Sequence, residues 1–140
     1  MSLENLEDQE QEMEEIEERV EDNEARMEEV NQRIDQIEQA ISSLSEDQEV
    51  RETVEQNREQ AEQEKESVEQ ERDQIEQDLD SVSASIEQMT EENEDSAAVL
   101  SQLSEAGEDV SEGESIINSR RQALKQMNSK IEELRSRLQG

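Results

Sequence analysis

The chain has 140 residues, 43 of them acidic and 13 basic, for a formal net charge of −30, and it lacks Cys, His, Pro, Trp, Tyr and Phe. That inventory excludes thiol and imidazole nucleophiles, the Ser-His-Asp triad, zinc sites of the usual nitrogen and sulfur type, redox dithiols and disulfides. Leu, Ile and Val number 9, 9 and 8, about 19% of the chain, which beside so large a charge is the composition of a disordered protein unless their order along the sequence says otherwise.

Their order does say otherwise. Leu6, Met13, Val20, Met27, Ile34 and Ile41 follow one another at seven-residue steps and define position a of a heptad. Position d is then Gln9, Ile16, Asn23, Val30, Ile37 and Leu44, so ten of twelve seam positions are apolar over almost six heptads. This pattern predicts a helix over about 3–44 that buries one stripe against another helix. The remaining positions are nearly all Glu, Gln, Arg, Asp and Asn, mostly good helix formers with no Gly or Pro among them.

The phase fails after Leu44, because Val50 and Val54 do not continue the earlier set. Ser45-Glu46-Asp47-Gln48 fits an S-x-x-Q capping box, so a second helix is expected over about 46–90. Its stripe is Val54, Ala61, Val68, Ile75, Val82 and Met89, with Leu79 and Ile86 joining only in the later half. The earlier half is therefore expected to pack more weakly.

A polar run from Thr90 to Ser96 precedes the apolar patch Ala97-Ala98-Val99-Leu100, and a C-terminal helical region is expected over about 97–139. Gly107 suits the C′ position after a helix, and Ser111-Glu112-Gly113-Glu114 reads as another capping box, which places a break near 107–112. The alternative is one helix tolerating two glycines at about 1 kcal/mol each. It draws on the strict seven-residue step through Leu103, Val110, Ile117, Leu124, Ile131 and Leu138. Met127 and Leu134 complete the last stripe.

Three segments of near-equal length, each about 65 Å as helix, joined by short connections imply an all-α fold. The expected form is an elongated antiparallel helical bundle, a coiled coil of about three long helices in a single domain, 1–140. A long coiled-coil dimer is the main rival, but a parallel one would keep phase across 42–50.

Few positions carry chemistry. Glu is so abundant that no pair stands out as acid and base, and no catalytic residue or cofactor site is expected. The best calcium-like fragment, Asp78-Leu79-Asp80-Ser81-Val82-Ser83, lacks the loop glycine and has Met89 where the twelfth-position carboxylate belongs, so no metal site is expected. Phosphate loops and aromatic stacking platforms are absent.

Basic residues are scarce and spaced. Arg19, Arg26 and Arg33 stand at heptad spacing beside the first seam, and Arg51, Arg58, Lys65 and Arg72 repeat every seven residues in the second helix. Such rows lie over the seam and pair with Glu on neighbouring helices. Gln9, Asn23 and Asn57 are read as register-setting polar core positions.

Charge is divided unequally. Residues 1–119 hold 41 acids and 7 bases, whereas 120–140 hold Arg120, Arg121, Lys125, Lys130, Arg135 and Arg137 against Glu132 and Glu133. This basic helix is the candidate interaction element, docking within the molecule or on a protein partner.

The function expected is that of a non-enzymatic coiled-coil scaffold, adaptor or chaperone-like interaction protein with a strongly anionic surface. It would meet a protein partner or a second copy through its helices, with no direct nucleic acid binding. The alternative is an acidic DNA mimic that inhibits or sequesters a basic nucleic-acid-binding protein; that role wants carboxylates aligned on one face, and here they cover nearly every non-seam position. Ten Arg against three Lys would also suit a halophile, although 34 Glu against 9 Asp follows from helix propensity alone. No stretch approaches a membrane span, and Met1-Ser2-Leu3-Glu4 has no signal-peptide character, so a cytoplasmic location is expected.

Overall fold

A computed structural model describes residues 3–43 and 48–140, which form an all-α helical bundle with no strand among them. Its helices are α1 (Leu3–Ser43), α2 (Gln48–Glu105) and α3 (Ser111–Gln139). The Ser45–Gln48 capping box and Leu44 fall largely or wholly outside the described residues. No described helix is long and apolar enough to cross a membrane.

The chain divides into two packing units. The first is discontinuous, Met1–Glu17 with Glu76–Gly140, and the second is contiguous, Glu18–Ile75.

In the first unit α1 contributes Leu6, Met13 and Ile16, α2 contributes Leu79, Val82, Ile86 and Met89, and α3 contributes Ile117, Leu124, Met127, Ile131, Leu134 and Leu138, all buried. Three helices surround one stripe from each, so seam residues at three- and four-residue spacing are covered nearly completely. Burial of such a side chain is worth about 2 kcal/mol, which offsets the ordering of an otherwise charged surface. Numbers fall on α2 as they rise on α3 in the pairs Asp80–Arg135 and Glu94–Arg121, so these two run antiparallel.

The second unit is a two-helix antiparallel pair, with α1 and α2 joined across it by Arg26–Glu71, Arg33–Glu64 and Glu38–Arg58. Val20, Val30, Ala61, Val68 and Ile75 are buried, but Met27, Ile34, Ile37, Ile41 and Val54 are only half-buried. Two helices leave the outer flank of each seam open. The thin stripe of Val and Ala in this part of α2 adds to the effect.

Two helix boundaries differ from those the sequence suggests. α2 does not stop near residue 90 but runs 58 residues to Glu105, so 97–105 belongs to it and α3 starts only at Ser111. The Thr90–Ser96 run is polar but holds no helix breaker. Asn93 stands four residues after Met89, in phase with the seam, and is buried there at 1% exposure.

Gly107, at φ +88°, ends α2 in a Schellman motif: its N–H donates to the Ser104 carbonyl oxygen and the Glu108 N–H donates to that of Leu103, both at 3.0 Å. The Ser111–Glu114 capping box does not form. Ser111 lies inside the first turn behind Val110, and its N–H and hydroxyl both donate to the Asp109 carboxylate, at 3.1 and 2.6 Å. Asp109 thus takes the donors that the serine box would have used. Donation from Ser111 holds the Asp109 carboxyl below the usual carboxylate range.

Candidate functional site

In the second unit the d position of α1 at Asn23 is buried at 1% exposure. Its Nδ2 donates to the Val68 carbonyl oxygen at 2.9 Å and its Oδ1 accepts from Arg72 Nε at 3.0 Å. Arg72, Lys65 and Arg58 share a seven-residue row on α2 and are all half-buried, because the row borders the seam. Arg58 reaches both Glu62 on its own helix and Glu38 on α1, at 3.3 and 3.5 Å. Arg26 donates to Glu71, which lowers the pKa of the carboxylate and raises that of the guanidinium.

Asn57 does not share the fate of Asn23. It is exposed, in an open groove of about 370 Å³ with Ile37, Ala40 and Val54. The seam beside Val54 passes through the Arg58 side of the helix, which turns Asn57 toward solvent and removes the burial on which a register-setting amide depends.

In the first unit the basic helix is spent largely on internal pairs. Arg121 makes a two-pronged contact with Glu94, Nε to Oε1 at 2.6 Å and Nη2 to Oε2 at 2.9 Å, and also donates to Asn118 Oδ1. This donation pulls the Glu94 carboxyl below its ordinary range. Lys130 pairs with Glu17 of α1 at 2.6 Å and with Glu133 at 3.5 Å, and the Glu17 contact raises the ammonium pKa. Arg135 donates to Asp80 at 2.9 Å, and Arg137 is half-buried. Lys125 is exposed, while Arg120 lines a groove with Ile116.

Gln9 is half-buried in a groove with Asp8, Ser85, Gln88 and Met89, and its Oε1 has no hydrogen-bond partner among the described residues. Asn93 has the same incompleteness at a deeper place. Its Nδ2 donates to the Ile117 carbonyl oxygen at 3.2 Å, but the buried Oδ1 accepts nothing from the described residues. Asn93 is the residue that sequence reasoning passed over. The four-residue step from Met89 marks it, yet the surrounding Glu and Asp hide that step inside an apparently featureless polar run.

Asp78 and Asp80 lie on helical backbone within α2, and among the described residues no three acidic side chains converge as a metal site would need. What the two units assemble is therefore a set of helix contacts: one buried amide donating across each, flanked by Arg and Lys held against Glu and Asp. No protein-family model matches the chain, and neither the curated proteins nor the solved structures contain a significant match.

Proposed function

We propose that this chain is a non-enzymatic coiled-coil scaffold, adaptor or chaperone-like protein that works by binding another protein. The observation that carries this reading is the separation of roles along each helix. Apolar residues face the neighbouring helix, joined by one buried amide on α1 and one on α2, and the outward positions of α1 and α2 are rich in carboxylates while α3 carries the basic residues from Arg120 onward. Such a surface keeps the chain soluble and apart from other acidic molecules while attracting basic partners at long range.

The test is affinity capture from the native host at two salt concentrations, with light scattering on the purified chain. A stoichiometric protein partner, retained at low salt and weakened at high salt, is the expected result. Failure to retain any partner at either salt overturns the reading. A captured nucleic-acid-binding protein that duplex DNA displaces from the same surface would replace it with the DNA-mimic role.

A further inference from the structure

Among the described residues four large hydrophobic side chains are exposed, and three of them gather at one end of the first unit: Val99 at 54%, Leu103 at 43% and Ile116 at 51%. Val99 and Leu103 lie four apart on one stripe of α2, and Ile116 faces the same opening from α3. Between Val99 and Ile116 is a groove of about 380 Å³ whose floor is Leu100 and Gly113. Gly113 matters to that floor, since a Cβ there would sit 2.9 Å from both Leu100 methyl groups. Its absence lets the two helices close on each other and leaves the opening lined by aliphatic carbon.

The same two helices hold a third one further along. There α1 lies against both, inserting Leu6, Met13 and Ile16 into the shared core. Asn5, near the start of α1, lines a groove beside Glu92, and among the described residues α1 extends beyond it only to Leu3 while α2 runs on to Glu105. The groove thus has the geometry that α1 satisfies below it: two antiparallel helices presenting a trough for an amphipathic helix.

Charge then selects the occupant. From Asp95 to Ser119 the sequence holds six carboxylates, Asp95, Glu105, Glu108, Asp109, Glu112 and Glu114, and no Lys or Arg. All six are exposed. A second copy fits poorly, because its α1 and α2 are acidic and the seam of its basic α3 is already buried. Glu105 and Glu114 line a neighbouring groove with Leu100 and Ile117, Asp95 and Glu112 adjoin the lining residues Ser96 and Gly113 in sequence, and Arg120 is the charged residue that itself lines the groove.

We propose that the groove between Val99 and Ile116, with Leu103 further along the same stripe of α2, docks a basic amphipathic helix of a partner protein, its apolar stripe on the aliphatic floor and its Lys or Arg toward the acidic stretch 95–119. The proposal rests on the reading of the chain as an interaction protein and names the partner's chemistry and the place where it binds.

The probe is a fluorescein-labelled 21-residue helix with Leu at a and d and Lys and Gln elsewhere, titrated into the full chain at 150 mM KCl and followed by anisotropy. Two controls are a scrambled peptide of the same composition and a peptide with Glu in place of Lys. The expected result is saturable binding of the amphipathic basic peptide alone, weakened at least tenfold by V99Q/L103Q/I116Q, a triple variant whose melting curve is monitored in parallel. Equal binding of the scrambled peptide, or undiminished binding by the triple variant at an unchanged melt, overturns the proposal. So does a dimer by light scattering that the triple variant dissolves, which would assign the groove to a second copy. If native partners are still captured by the triple variant, this docking site fails while the interaction-protein reading stands. If the wild-type chain captures nothing, that reading fails whatever the peptide does.

Discussion

Arg72 Nε donates to Asn23 Oδ1 at 3.0 Å, so a guanidinium from the charged row of α2 completes an amide that sits in the seam. With Nδ2 held by the Val68 carbonyl oxygen, both ends of the Asn23 side chain are used. A shift of one helix by a turn would bury the amide without either partner, at a cost of about 1–3 kcal/mol. The pair therefore acts on alignment more than on net stability.

Replacing Asn23 with Leu is expected to raise the melting temperature, because an aliphatic side chain recovers packing and the Val68 carbonyl keeps its place in the α2 backbone ladder. Asn23→Ala is expected to lower it. In a double-mutant cycle with Arg72→Leu the coupling should be about 1 kcal/mol. Asn23→Leu should also broaden the association states seen by light scattering. A less stable Asn23→Leu variant with an unchanged mass would contradict this account.

Salt should stabilise the fold. The described ion pairs are surface pairs worth about 0–1 kcal/mol each, whereas a net charge of −30 is felt by every carboxylate within a Debye length of about 10 Å at 0.1 M. Screening relieves more repulsion than it removes attraction. Helicity and melting temperature measured by circular dichroism from 20 mM to 2 M KCl are expected to rise, and a flat or falling curve would show that the pairs dominate.

Acid should remove a specific part of the stability. Arg121 holds Glu94 below its ordinary range, so the contribution of this pair is fully present above the unfolded carboxylate value, about pH 4.3, and is lost as pH falls through the lowered folded value. Glu94→Gln is therefore expected to melt below the parent at pH 7 and to converge with it only as pH falls through the lowered folded value of Glu94. Glu91→Gln serves as the control for removing one charge. A gap that does not narrow at all as pH falls below the unfolded carboxylate value would assign the effect of Glu94→Gln to packing.

How far could these contacts be read from the sequence? The helical class and the seams could, because a seven-residue step survives any choice of partner: Leu6, Met13, Val20, Ile117, Leu124 and Ile131 all stand in core positions. Boundaries were harder. Thr90–Ser96 looks like a linker by polarity, yet the helix persists because nothing in it breaks backbone hydrogen bonding and Asn93 keeps the seam in phase. The site was legible only in part. A polar residue at d predicts a buried amide at Asn23 but says nothing of which carbonyl or guanidinium it will meet, since these come from residues forty-five and forty-nine positions away. Asn57 shows the converse, for its depth depends on which face of α2 the opposing helix chooses.

Gly107 supplies a test of the turn. At φ +88° and with nothing within 4 Å of where a Cβ would stand, Gly107→Ala meets backbone strain and no steric clash. It is expected to destabilise by about 1 kcal/mol, and Gly107→Asn by less, as read by denaturant melts. Equal stability of all three would mean that the turn relaxes freely.

The discontinuity of the first unit also sets an order of events during synthesis. Glu18–Ile75 is contiguous and carries its own seven cations, so this hairpin has everything it needs once those residues have left the ribosome. The first seventeen residues cannot finish folding then. Their unit holds no cation before Arg120, and the Lys130 that meets Glu17 is made 113 residues after it. Closing contacts between residues so far apart in sequence is slow relative to closing a hairpin. A nascent chain paused before residue 120 therefore holds its Leu6, Met13 and Ile16 stripe without most of the α3 residues that share their core, the interval in which the growing protein is most open to proteolysis and to basic strangers.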